Sequence, residues 1–153
     1  MVRIGYAAGA FDLFHIGHLN ILRQAKRECN YLIAGVVSDE LCLMNKGKKP
    51  VIPLAERLEI VREVSYVDEA VAETLPDKVA TWQQVGFNVY FKGDDWRGTS
   101  RGERLEEAFA AVGVEVVYFP YTVRTSSTAL RKALAILNAG PIPEESRKFA
   151  IDF

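Results

Sequence analysis

Two histidines, His15 and His18, stand three positions apart in the segment Gly9-Ala10-Phe11-Asp12-Leu13-Phe14-His15-Ile16-Gly17-His18. A largely apolar run, Arg3-Ile4-Gly5-Tyr6-Ala7-Ala8, precedes them, and Leu19, Ile21, Leu22 and Ala25 follow at helical spacing. The pair therefore sits where a strand turns into a helix. A helix start offers unpaired N–H groups and a partial positive charge, which suit phosphate. Residues at i and i+3 share one helix face, so both imidazoles could donate to one anion such as a triphosphate. A half-buried structural pair and half of a metal site are the alternatives. No other histidine is present and only Cys29 and Cys42 are soft ligands, so no metal ligand is assigned. Asp12 could orient a substrate or a metal, or simply lead the chain into the helix.

Three further segments carry polar groups. Asn45-Lys46-Gly47-Lys48-Lys49-Pro50 gathers three lysines around a glycine; it is either a solvated loop or a lid of point charges over phosphate. Phe91-Lys92-Gly93-Asp94-Asp95-Trp96-Arg97-Gly98 places paired carboxylates beside a tryptophan. Trp96 could stack on a planar base while Asp95 accepts from an exocyclic amine, as for cytosine or adenine; a capped turn over a buried indole is the plainer account. Thr125-Ser126-Ser127-Thr128, before the helical Ala129-Leu130-Arg131, offers more hydroxyls than capping needs, enough to reach a triphosphate.

Strands are expected near residues 2–8, 31–37, 66–72, 88–92 and 114–119, with Tyr66-Val67-Asp68-Glu69 opening the third. Helices are expected near 17–29, 54–64, 77–86, 101–112 and 127–138, and Ser38-Asp39-Glu40 reads as a further helix start. The alternation implies an α/β fold, a Rossmann-like doubly wound five-stranded parallel sheet in a single domain. Tyr31-Leu32-Ile33-Ala34-Gly35-Val36-Val37 is apolar at consecutive positions, as a strand covered on both faces should be. Such sheets bind ligands beyond the carboxyl ends of their strands, where all four polar segments fall. The domain is placed at 1–137 and a C-terminal extension at 138–153, whose Phe149, Ile151 and Phe153 could pack on the domain or on a partner subunit.

The chain has 19 Lys plus Arg against 20 Asp plus Glu, a net charge of −1. This balance offers no general attraction for nucleic acid or a membrane surface, so an anion site must be built locally. No apolar run reaches membrane-spanning length. Two cysteines without paired-motif spacing fit a reducing compartment, and a cytoplasmic location is expected. The first loop lacks both G-x-G-x-x-G and G-x-x-x-x-G-K-[ST], against dehydrogenase and P-loop readings.

Taken in order, His15-Ile16-Gly17-His18, Tyr66-Val67-Asp68-Glu69, Gly93-Asp94-Asp95-Trp96 and Ser126-Ser127-Thr128 resemble the small cytidylyltransferases of the nucleotidyltransferase superfamily. The glycerol-3-phosphate branch is the most similar, and the resemblance runs from about Arg3 to Lys132. It implies that His15, His18, Lys46 and Lys48 are the catalytic contacts to the triphosphate. It implies Ala10, Phe11, Gly17, Asp95, Trp96, Ser126, Ser127 and Thr128 for the nucleotide, and Asp12, Arg57 and Lys78 for a phospho-alcohol. Mg²⁺ or another divalent cation is expected with CTP, and a homodimer is expected with Tyr66 to Glu69 near its contact. Two departures stand out: Ser65 replaces an arginine frequent before Tyr-Val-Asp-Glu, and in the last motif Tyr121 stands in place of arginine and Arg124 in place of glycine. Arg124 is expected to take over part of the lost role at the substrate. The rival readings are an ATP-dependent adenylyltransferase of the same superfamily, another acceptor such as a polyol, choline or ethanolamine phosphate, and a nucleotide-binding module without turnover.

Overall fold

The computed structural model describes residues 2–121 and 125–139. Five strands, β1 (Ile4–Gly9), β2 (Tyr31–Val37), β3 (Glu69–Glu73), β4 (Val89–Gly93) and β5 (Glu115–Phe119), form one sheet in the order β3-β2-β1-β4-β5. Every pairing is parallel, from Gly9↔Val36 between β1 and β2 to Ala7↔Phe91 between β1 and β4. The chain winds outward through β2 and β3 and then crosses back to β4. The switch point thus lies between β1 and β4, and the loops after these strands flank the crevice where such sheets bind ligands.

The helices are α1 (Ile16–Arg27), α2 (Asp39–Lys46), α3 (Leu54–Arg62), α4 (Lys78–Val85), α5 (Ser100–Ala110) and α6 (Ser127–Ala139), with a 3-10 turn at Asp94–Trp96. One face of the sheet packs Ala7, Ala34 and Phe91 against Leu22 and Ala25 of α1 and Val61 of α3. The other packs Tyr6, Ile33 and Tyr90 against Leu105 and Phe109 of α5, with Val79 and Trp82 of α4 alongside. Each fully buried large side chain, Leu22 and Phe109 among them, stabilises the fold by roughly 1.5–3 kcal/mol.

Two expectations change. The third strand begins at Glu69 rather than Tyr66, because Val67 closes a turn on Val64 O and the Asp68 carboxylate takes the Leu32 N–H at 2.7 Å. Asp68 also pairs with Lys26, so its side chain stands where a ladder partner would. The segment after Ser38 is a full helix, capped by Ser38 Oγ and closed by Gly47 at φ 70°, so Lys46 ends a helix instead of riding in a loop. Glycine suits that left-handed cap. Of the extension placed at 138–153, residues 138–139 complete α6, and the rest, with Phe149, Ile151 and Phe153, lies outside the described residues, as does Arg124.

Candidate active site

The loop after β1 is bent by two non-glycine residues in the left-handed region, Phe11 at φ 52° and Leu13 at φ 51°. Each costs on the order of 1–3 kcal/mol and persists only where the surroundings over-determine it. Here Asp12, 1% exposed, is the anchor: its carboxylate accepts from Val51 N at 2.8 Å and Ile52 N at 2.9 Å and pairs with Arg131 at 3.2 Å. Ser127 Oγ donates to the Asp12 carbonyl at 2.6 Å. One carboxylate thus ties the loop after β1 to the end of the lysine segment and to α6.

His15 caps α1. Its Nδ1 accepts from Gly17 N at 3.0 Å, and His18 Nδ1 accepts from His15 N at 3.3 Å. The two rings stack with centroids 3.9 Å apart, and His18 is wedged against Phe11 and Phe14. A Cβ on Gly17 would stand 2.8 Å from the His15 ring, so the close cap requires glycine. Because each Nδ1 accepts, each neutral ring carries its proton on Nε2. Burial lowers the His15 pKa; burial, then His15 itself, pulls His18 down to about 4. Both are neutral donors at pH 7. Among the described residues His15 Nε2 meets Ser127 Oγ alone, at 3.4 Å, a long contact that a phosphate oxygen could replace.

The loop after β1 lines, through Ala10, a cleft of about 400 Å³ whose lining also includes Lys46, Lys48, Thr128, Arg131 and Lys132 but neither imidazole. Among the described residues no carboxylate lines it. The cleft can hold several phosphates: α6 adds Arg131 and Lys132, which sequence reasoning missed although each lies within one turn of the hydroxyl run. Ser126 Oγ caps the helix through Ala129 N, and Thr128 faces the cleft. Phe11 is buried and offers only its backbone. Cys42 also lines the cleft, and burial pushes its thiol up.

The loop after β4 departs from expectation. The Trp96 ring carries two cations, Lys92 Nζ 3.8 Å and the Arg101 guanidinium carbon 4.2 Å from its centroid, so the indole already has partners within the protein. Asp95 accepts from the Tyr121 hydroxyl at 3.0 Å, and the Tyr121 ring lies so close to Gly93 that a Cβ there would be 2.4 Å away. Tyr121, standing where an arginine was expected, is thereby packed on the loop; burial, then Asp95, raises its pKa.

Arg57 is also placed differently from expectation. It is 1% exposed, with Nε on Ile52 O, Nη1 on Ala10 O and Val37 O, and Nη2 on Asp39. Its guanidinium braces the loops after β1 and β2 from beneath and presents no free edge to a phospho-alcohol. Asp12 is likewise saturated and shapes the site from inside. Lys78 does reach the carboxyl end of the sheet, where Nζ donates to Glu73 at 2.7 Å. Ser65 is exposed between α3 and β3. Among the described residues no group of three His, Cys, Asp or Glu side chains is arranged for a metal ion, and no helix is long and apolar enough to cross a membrane.

The Cytidylyltransferase-like family model matches residues 6–133. Glycerol-3-phosphate cytidylyltransferase of Bacillus spizizenii is 35% identical over 130 residues, covering 84% of this chain and 95% of the relative. FAD synthase of Thermococcus kodakarensis is 29% identical over 82% of this chain and 85% of its own length. Among solved structures, the lipopolysaccharide core biosynthesis protein of Thermoplasma volcanium superposes with a TM-score of 0.68 at 25% identity, over 82% of this chain and all of its own. The histidine pair, the basic cleft and this match over most of the chain agree: the protein belongs to the cytidylyltransferase-like family and is a nucleotidyltransferase.

Proposed function

We propose that the protein transfers CMP from CTP to a small phospho-alcohol, glycerol 3-phosphate first among them, releasing pyrophosphate and leaving CDP-glycerol. The observation that carries this reading is the pair of neutral Nε2–H donors of His15 and His18, at the end of a loop whose Ala10 lines a cleft with Lys46, Lys48, Arg131 and Lys132 as its charged groups among the described residues. A phosphomonoester with its second pKa near 6 is mostly dianionic at neutral pH, so it attacks the α-phosphorus without a general base. The protein has to supply in-line positioning and charge stabilisation on the α-phosphate and departing pyrophosphate. Neutral imidazoles suit that task as fixed donors, and the four cations suit the leaving pyrophosphate. CTP arrives with Mg²⁺, whose ligands are then phosphate oxygens and water. Asp95 keeps one carboxylate oxygen for the exocyclic amine of cytosine, since Tyr121 occupies only the other. A cytoplasmic homodimer accompanies this reading.

A second reading, adenylyl transfer from ATP, is favoured by the likeness to FAD synthase. Pyrophosphate release decides between them. CTP and ATP are each paired with glycerol 3-phosphate, a polyol phosphate, choline phosphate, ethanolamine phosphate and flavin mononucleotide. Release with CTP and glycerol 3-phosphate is the expected result; release with ATP alone overturns the choice of nucleotide. CTP binding without release from any pair would identify a nucleotide-binding module.

A further inference from the structure

Lys92 is the penultimate residue of β4, one before Gly93, on the sheet face that carries α4 and α5. Its neighbour along that face, Tyr90, belongs to the same apolar cluster as Trp96, Val79 and Leu105. The ammonium is drawn in against the indole of Trp96, 3.8 Å from the ring centroid. Among the described residues it makes no ion pair and no hydrogen bond to protein. The same indole forms a wall of a cavity of about 270 Å³ between α4 and α5, lined also by Lys78, Arg101 and Arg104; Lys92 is not itself in that lining and adjoins the cavity through the Trp96 ring. The one carboxylate in that lining, Asp77, is spent on capping α4 through Val79 N. Arg101 and Arg104 are exposed and make no ion pair among the described residues.

A partly desolvated cation beside other cations is unfavourable unless something compensates it. The indole supplies on the order of 1 kcal/mol, and no carboxylate closes on the ammonium. Burial lowers the Lys92 pKa, and Lys78, Lys46 and Arg101 push the same way against the pull of Asp95. Lys78 in turn is fixed: Glu73, 1% exposed, takes its ammonium at 2.7 Å and the Tyr6 hydroxyl at 3.0 Å.

We propose that Lys92 is a substrate-binding residue: with Lys78 and Arg101 it forms an anion pocket against Trp96 that holds the phosphomonoester of the acceptor. The assignment rests on the cytidylyl-transfer reading for the name of the acceptor and on the cation cluster for the chemistry of the ligand. The uncompensated charge is completed by a dianion, and the triphosphate already has its own cations across the crevice.

A pocket built for a ligand is strained without it, which separates this role from a structural one. Lys92→Met should raise the KM for glycerol 3-phosphate at least tenfold, leave the KM for CTP within twofold, and leave Tm unchanged or raised. A lowered Tm with both KM values raised together would make Lys92 structural, and a rise confined to CTP would assign it to the nucleotide; either overturns the proposal. Arg101→Gln, at an exposed position where folding is not at stake, should raise the acceptor KM severalfold, and no change would remove Arg101 from the pocket as proposed. Titration with inorganic phosphate, followed at the Trp96 indole N–H resonance, needs no turnover. It should shift that resonance in the wild type and do so at least tenfold more weakly in Lys92→Met. If no nucleotide and acceptor pair releases pyrophosphate, the functional reading fails while this titration still decides the pocket. Absence of a wild-type shift, or equal shifts in both proteins, overturns the pocket.

Discussion

The imidazoles of His15 and His18 stack 3.9 Å apart and each spends Nδ1 on a backbone N–H, so the pair is locked as two Nε2 donors. His15→Ala or His18→Ala should therefore lower kcat by about 10²–10³, corresponding to roughly 3–4 kcal/mol of barrier. Steady-state pyrophosphate release measures it, and a loss below tenfold for both variants would reject the role.

The folded state holds His18 neutral down to about pH 4, whereas an unfolded histidine protonates near 6.5. Between these values the unfolded chain binds more protons, so stability falls as the pH drops through that window and is flat above it. The loss from His18 is on the order of 3 kcal/mol at full protonation of the unfolded group. Urea unfolding at a series of pH values reads this slope, and His18→Gln should flatten it.

Arg57→Lys keeps the charge but loses the planar fork. The carbonyls of Ile52, Ala10 and Val37 cannot all be reached by one ammonium on a shorter stem. The cost should be about 2–4 kcal/mol in equilibrium unfolding, with a raised KM for the nucleotide because Ala10 lines the cleft. A fully stable Arg57→Lys with changed acceptor KM alone would instead restore the sequence-based assignment of Arg57 to the phospho-alcohol.

Gly35 leaves the space through which Tyr6 reaches Glu73; an added Cβ would overlap the Tyr6 hydroxyl. Gly35→Ala should destabilise the protein by about 2–4 kcal/mol, by overpacking and by stripping a donor from a buried carboxylate. Thermal unfolding checks the size, and Tyr6→Phe in the same background should relieve the steric part of the loss.

Local signals account for most of the fold. The strand positions, five of the helices and the carboxyl-end placement of every polar segment follow from apolar runs and helical spacing, which depend on neighbours a few residues away. The helix start at the histidine pair was legible for the same reason, as was the hydroxyl start of α6. Asp12 and Arg57 were read as substrate contacts because sequence reveals a charged residue near a site but not which way it points. The structure closes Asp12 on the Val51 and Ile52 amides, and Arg57 on carbonyls as far away as Ala10. Those bonds span more than thirty residues and leave no periodic trace.

Residue type and spacing alone determined that this chain is a parallel α/β domain with a histidine pair at its first helix start. Only the tertiary structure decided which charges face the crevice and which are consumed beneath it. It put Lys92 and Arg101 on the indole expected to meet a base, and it gave Asp95 to Tyr121. Helix starts and strand ends are local properties of a chain. The partner of a buried charge is set by desolvation, which exists only once distant segments have packed around it.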